Sequence, residues 1–212
     1  MGAMPSEKAM EILLALLPGA TYAFVSSITP GPNNIMLTAS GITFGFKRTV
    51  PHILGIPFGF GVLLALCAVG IGALLVSVPS AEIGLKVFGT TYMLYLAWML
   101  RKNALGKKES ATGETEGKPM TFWQAAMFQF ANPKAWVFAL TGASAFMPNY
   151  PSLTLSVAVL VVLFCTINLP CVATWAILGS TIKRYLQNPI LERIFSTLIV
   201  LLTIYAAIAI WL

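Results

Sequence analysis

HILGIPFGFGVLLALCAVGIGALLVSV (residues 52–78) and LTLSVAVLVVLFCTINLPCVATWAIL (residues 153–178) contain no lysine, arginine, aspartate or glutamate. A membrane-crossing helix needs about 20 mainly apolar residues to span about 30 Å of hydrocarbon. Both stretches exceed that length, and they decide the class of fold: an all-α protein built inside a bilayer. Outward from them, four more stretches meet the same requirement: 12–28 with a continuation to 46, then 83–100, 122–147 and 194–212. The expectation is a polytopic membrane bundle of six transmembrane helices, forming a single membrane domain over residues 1–212.

Composition agrees. Charged residues make up 9% of the chain and hydrophobic residues 58%, whereas a soluble domain carries roughly 25% charged residues. So few charges cannot cover a surface in water. The seven carboxylates are Glu7, Glu11, Glu82, Glu109, Glu114, Glu116 and Glu192; aspartate is absent, and His52 is the single histidine. That removes most routes to hydrolysis, metal catalysis and paired-carboxylate chemistry, so no enzyme, cofactor or metal site is expected. The net charge of +6 does not point to nucleic acid, because the basic residues flank apolar runs instead of forming one patch. Cys67, Cys165 and Cys171 all lie in apolar stretches, without metal-ligand spacing or a disulfide framework. The first residues lack the pattern of a cleaved signal peptide.

Charge also sets an orientation. Ten basic residues fall on one side of the expected spans: Lys47 and Arg48; Arg101, Lys102, Lys107, Lys108 and Lys118; and Lys183, Arg184 and Arg193. The other side has Lys8 and Lys86. The positive-inside rule then places both termini outside the cytoplasm, in the periplasm of a Gram-negative cell. The polar stretch 102–121 reads as a cytoplasmic loop. It divides the chain into three-helix halves, 1–101 and 122–212, and an odd number of spans per half makes the halves face opposite ways. That is the 3+3 inverted-repeat plan of many secondary transporters.

Each half carries a disturbance in its first span. The stretch from 11 to 46 would be roughly 54 Å long as one helix, too long for one straight crossing. Thr29-Pro30-Gly31-Pro32-Asn33-Asn34 is the obvious break. Two prolines remove two backbone donors, and Gly31 adds backbone freedom. Asn132-Pro133-Lys134 disturbs the first span of the second half. Paired interruptions are the best sequence pointer to a transport site. Backbone groups freed there must face protein or a water-filled cavity. A half-helix starting near Pro32 would direct its unpaired N–H groups and positive dipole end at a carboxylate. Asn33 and Asn34 supply further donors and acceptors, for the polar ends of an amino acid or, if the prolines only kink a helix packed on its neighbour, as interhelical hydrogen-bond partners. Lys134 is the single charge well inside an expected span, and is by default a functional candidate, either for a substrate carboxylate or as a fixed or titrating cation replacing a coupling ion. Asn168 and Trp175, seven apart, share a helix face, and Gly55 and Gly59 permit close helix contact. The candidate substrate-binding residues are therefore Pro30, Gly31, Pro32, Asn33, Asn34, Asn132, Pro133, Lys134 and Asn168.

The same residues carry a family resemblance. Thr29-Pro30-Gly31-Pro32-Asn33-Asn34, Gly41 and Gly45-Phe46-Lys47-Arg48 resemble the signature of the LysE/RhtB family of amino-acid exporters. Leu85-Lys86-Val87-Phe88-Gly89, Tyr92 through Trp98, Gln129-Phe130, Asn132-Pro133-Lys134-Ala135-Trp136, Asn168, Trp175 and Gly179 agree with it, so the likeness covers nearly the whole chain. It implies a six-helix inner-membrane exporter of small amino acids or derivatives, driven by the proton gradient. Phe122-Trp123 and the Gly59-Phe60 step resemble the subgroup that exports cysteine and O-acetylserine. At Phe60 the chain departs from the many members that carry an acidic residue there; Lys134 or His52 would then have to serve in proton coupling, or transport is coupled otherwise. The expected partners are an amino-acid substrate and the lipid bilayer, with homo-oligomerisation left open. A channel or a structural membrane protein is the competing reading.

Overall fold

A computed structural model describes residues 5–70 and 118–182 continuously, with scattered helical residues within 83–98 and 190–208. Six helices make up the continuous parts: α1 (Pro5–Ile28), α2 (Pro32–Phe44), α3 (Phe46–Ala68), α4 (Phe122–Ala131), α5 (Pro133–Phe146) and α6 (Leu153–Ile182). No strand occurs among the described residues. Met10–Ile28, Phe46–Ala68 and Leu153–Ile182 are each long and apolar enough to cross a membrane. The expected spans at 83–100 and 194–212 fall mostly outside the described residues, as do 71–78 and the linker from 102 to 117.

Both interruptions occur where the prolines stand. α1 ends at Ile28 and α2 begins at Pro32; α4 ends at Ala131 and α5 begins at Pro133. Proline is tolerated at the first helical position because its missing N–H would have no partner there. α1 starts at Pro5, ahead of the expected 12, and two further expected boundaries move. The second span starts at Phe46, not at 52, because Gly45 alone joins α2 to α3. Its φ of 80° and ψ of 166° suit glycine and turn the chain in one residue. Lys47 and Arg48 therefore lie in the first turn of α3, where Arg48 sits 5.3 Å from the Phe44 ring. At the other boundary, α6 continues past residue 178 to Ile182. Its 30 residues make a helix about 45 Å long, so it tilts or extends beyond the hydrocarbon.

Glycines set how closely the helices meet. A Cβ on Gly55 or Gly59 would collide with the carbonyl oxygens of Phe122 and Ala126, so α3 and α4 pack backbone to backbone. On the other side, Gly41 sits against the Ala176 carbonyl and Gly179 against that of Thr38, closing α2 onto α6. Small residues let membrane helices approach this way, since lipid supplies no hydrophobic drive between them. Two apolar clusters result. One gathers Phe60, Leu64, Trp136, Phe138 and Phe164; the other gathers Leu37, Ile56, Val172 and Ala176. Outward, Leu13, Val137 and Val162 are each at least 60% exposed, as expected for side chains that face lipid. The chain is a multi-pass membrane protein.

Candidate functional site

Every proline at the two breaks leaves a carbonyl without its helical donor, and each such carbonyl has a visible substitute. Pro32 cannot donate to Ile28, whose oxygen instead accepts from the Trp175 indole Nε1 at 3.2 Å. Pro30 cannot donate to Ser26, whose oxygen accepts from Thr29 Oγ1 at 3.2 Å. At the second break the Gln129 carbonyl accepts from Asn132 N at 3.3 Å in place of Pro133. Lys134 N turns to the Asn132 side-chain oxygen at 3.1 Å. That leaves the Phe130 carbonyl free for the Trp136 indole at 2.8 Å. One tryptophan thus closes the backbone at each break, as burial in a medium without water demands.

The two helix starts differ in one respect. Asn132 caps α5 with its own side chain. Gly31 has no side chain to cap α2, so the first-turn N–H groups of Asn33 and Asn34 keep no intrahelical acceptor. Gly31 is fully extended, with φ −175° and ψ −179°, a conformation any residue can adopt. It owes its place to space instead: an added Cβ would lie 2.7 Å from Lys134 Cδ.

The expected site residues converge on one cavity. Gly31, Pro32, Asn33, Asn34, Asn132, Lys134 and Asn168 line it, together with Ile56, Phe60, Gln129, Phe138 and Val172, among others. It lies between the two apolar clusters and takes wall residues from both. Its volume of about 30 Å³ suits one or two water molecules. Pro30 and Pro133 are not in the wall; Pro30 reaches it through its carbonyl, which accepts from Lys134 Nζ at 3.2 Å.

Within the cavity wall most polar groups are already engaged. Asn33 Nδ2 donates to Gln129 Oε1 at 2.8 Å, and Gln129 Nε2 returns a bond to Asn33 Oδ1 at 3.1 Å. A further bond from Gln129 Nε2 to the Ala125 carbonyl sets which way this amide points. Asn34 Nδ2 donates to the Ser27 and Thr29 carbonyls, bracing the gap after α1. Asn168 Nδ2 donates to Ser27 Oγ at 3.0 Å. Asn168 is 5% exposed, and its Oδ1 has no partner. Both ring nitrogens of His52 are also buried without a partner. Phe60 stacks on Phe138 with centroids 4.4 Å apart, giving the cavity an apolar floor.

Sequence reasoning missed Gln129 as a member of the site. It is a neutral residue in the last turn of an apolar helix, and its signals were its place a turn before Pro133 and its part in the family resemblance as Gln129-Phe130. Ser27 was missed for a similar reason, since serine inside a span is common. Among the described residues no group of three metal-ligating side chains occurs.

The comparisons with known proteins agree with one another. The family model described as LysE type translocator matches residues 14–211. The cysteine/O-acetylserine efflux protein of Escherichia coli (strain K12) is 30% identical over 194 residues, covering 90% of this chain and 94% of the relative. The proteins of the same description from Salmonella paratyphi A and Shigella flexneri match at 30% identity with the same coverage. No solved structure matches the chain. Two proline-broken helices facing one cavity, in a chain matched almost end to end, make this protein a member of the LysE type translocator family.

Proposed function

We propose that the protein exports small neutral amino acids or their derivatives across the inner membrane, by alternating access around the cavity between the two breaks. Six spans in two inverted three-helix halves, 1–101 and 122–212, with both termini periplasmic, form the frame. The observation that carries the reading is a pair of unmet needs across one cavity. The uncapped start of α2 offers N–H donors and a positive dipole end. Asn168 Oδ1 is a buried acceptor lacking a donor. An α-carboxylate answers the first and an α-ammonium the second. Among the described residues no carboxylate lines the cavity, and Phe60 and Phe138 bound its apolar side. A basic side chain would be left unpaired there, while a small neutral one would not. The names of the relatives agree, since they are efflux proteins for cysteine and O-acetylserine.

The cavity is about 30 Å³, far below the roughly 300 Å³ of a small-ligand pocket. Loading therefore needs α2 to part from α4, and the Asn33–Gln129 pair is the polar contact that gives way. Purified protein in liposomes, loaded with unlabelled cysteine, O-acetylserine, serine or threonine, should accumulate the labelled solute by counterflow. Asn168→Leu should raise the KM roughly tenfold or more, through loss of a bond to a charged group. Absence of counterflow with every neutral amino acid would sink the exporter reading. A C-terminal reporter active only in the cytoplasm would contradict the orientation if it gave a signal.

A further inference from the structure

Lys134 is the second residue of α5, at the positive end of that helix, where a cation is disfavoured. Its side chain leaves that end and crosses to the other break. Nζ donates to the Thr29 carbonyl at 2.8 Å, to Thr29 Oγ1 at 3.0 Å and to the Pro30 carbonyl at 3.2 Å. An ammonium has three donors, and all three are engaged. The acceptors belong to the first residues beyond α1, at the negative end of its dipole. Thr29 N still bonds the Val25 carbonyl, which closes the last turn of α1 and fixes the oxygens in place. Gly31 leaves room for the lysine stem: a Cβ there would lie 2.7 Å from Cδ and 3.0 Å from Nζ.

Unwound backbone carbonyls at a half-helix C-terminus are the ligands with which broken-helix transporters hold a sodium ion, and here a hydroxyl joins two of them. Hard monovalent and divalent cations take such oxygens, and so does an ammonium. We infer that Lys134 is a tethered cation that fills a three-oxygen site otherwise open to a free alkali ion, pinning α5 to the end of α1. In this state the lysine is not the partner of the substrate carboxylate, which falls to the start of α2. Transport by the wild-type protein has no requirement for sodium, because the charge that sodium would supply is built into the chain. The transport consequence rests on the exporter reading, whereas the site itself does not.

The test reads the site first without transport. Lys134→Ala removes the ammonium and opens space for a replacement. Lys134→Met removes the charge and keeps most of the stem's bulk. Thermal stability of the purified full-length protein is measured in choline chloride, sodium chloride and propylammonium chloride at equal ionic strength. In choline, both variants should melt about 5 °C or more below wild type, from lost bonds to a charged group. Sodium or propylammonium should restore much of that loss in Lys134→Ala, while wild type and Lys134→Met stay indifferent. The inference is overturned if Lys134→Ala ignores both cations, or if Lys134→Met is as stable as wild type. Wild-type counterflow gives a second measurement that needs no variant: equal rates in sodium and choline are expected, and a severalfold stimulation by sodium overturns it. A wild type that carries no amino acid defeats the exporter reading alone and leaves the stability result standing.

Discussion

Asn33→Ala is the perturbation whose size the structure determines most directly. Gln129 is 1% exposed, and its side chain makes three hydrogen bonds, two of them to Asn33. The substitution removes both and leaves Gln129 Oε1 without a donor. An orphaned buried acceptor costs about 1–3 kcal/mol. The adjoining cavity holds space for about one or two waters, which can relieve part of this. We expect a destabilisation of about 2 kcal/mol. Gln129→Leu should cost less, about 1 kcal/mol, because Asn33 is only half-buried and can turn toward the cavity. The double variant leaves neither amide stranded, so its loss should be smaller than the sum. Interhelical bonds measured by double-mutant cycles in a membrane protein average about 0.6 kcal/mol and reach about 1.7. Two bonds in one pair predict a coupling near the upper value. The assay is equilibrium unfolding of the four proteins in mixed micelles, followed by helix content. Additivity within about 0.3–0.5 kcal/mol would refute the view that this pair latches α2 to α4.

Gly59→Ala and Gly179→Ala should each destabilise by about 1–3 kcal/mol, because the new Cβ meets backbone carbonyls that cannot swing aside; Gly84→Ala, with nothing among the described residues within 4 Å of its Cβ, is the control and should be neutral to slightly stabilising. Equal melting temperatures for all three would contradict the close packing of α3 on α4 and α2 on α6. Trp175→Phe keeps the ring but leaves the Ile28 carbonyl without the indole donor, so stability should fall by about 1 kcal/mol. Faster amide exchange just after α1 should accompany it, and unchanged exchange there would show that the indole is not what closes the break.

Much of the site could be read before any tertiary contact was known. Pro30, Pro32 and Pro133 announce breaks because a proline nitrogen carries no hydrogen wherever it stands. Asn132 before Pro133 is a capping signal of the same local kind. The apolar runs announce bilayer helices because hydrophobic length is a property of a segment alone. The Gly55–Gly59 pair announced a close contact, though not that α4 would be the partner. The expected role of Gly31 changed: its backbone is extended, and what glycine supplies is room for Lys134.

Other features depend on which segments meet. Lys134 reads in sequence either as a cation awaiting a substrate carboxylate or as one replacing a coupling ion, and only the fold shows its three donors ending on oxygens 104 and 105 residues away. Gln129 reads as one polar residue in an apolar helix, and it acquires a meaning only through Asn33, 96 residues earlier. Asn168 and Trp175 share a face by periodicity, but only packing directs both to the end of α1. Local covalent chemistry and hydrophobic length thus determined that this chain is a helical membrane protein broken at two places. Only the tertiary structure decided which freed backbone groups are answered by the chain itself and which are left facing a cavity, because in a medium without water that depends on which neighbour arrives.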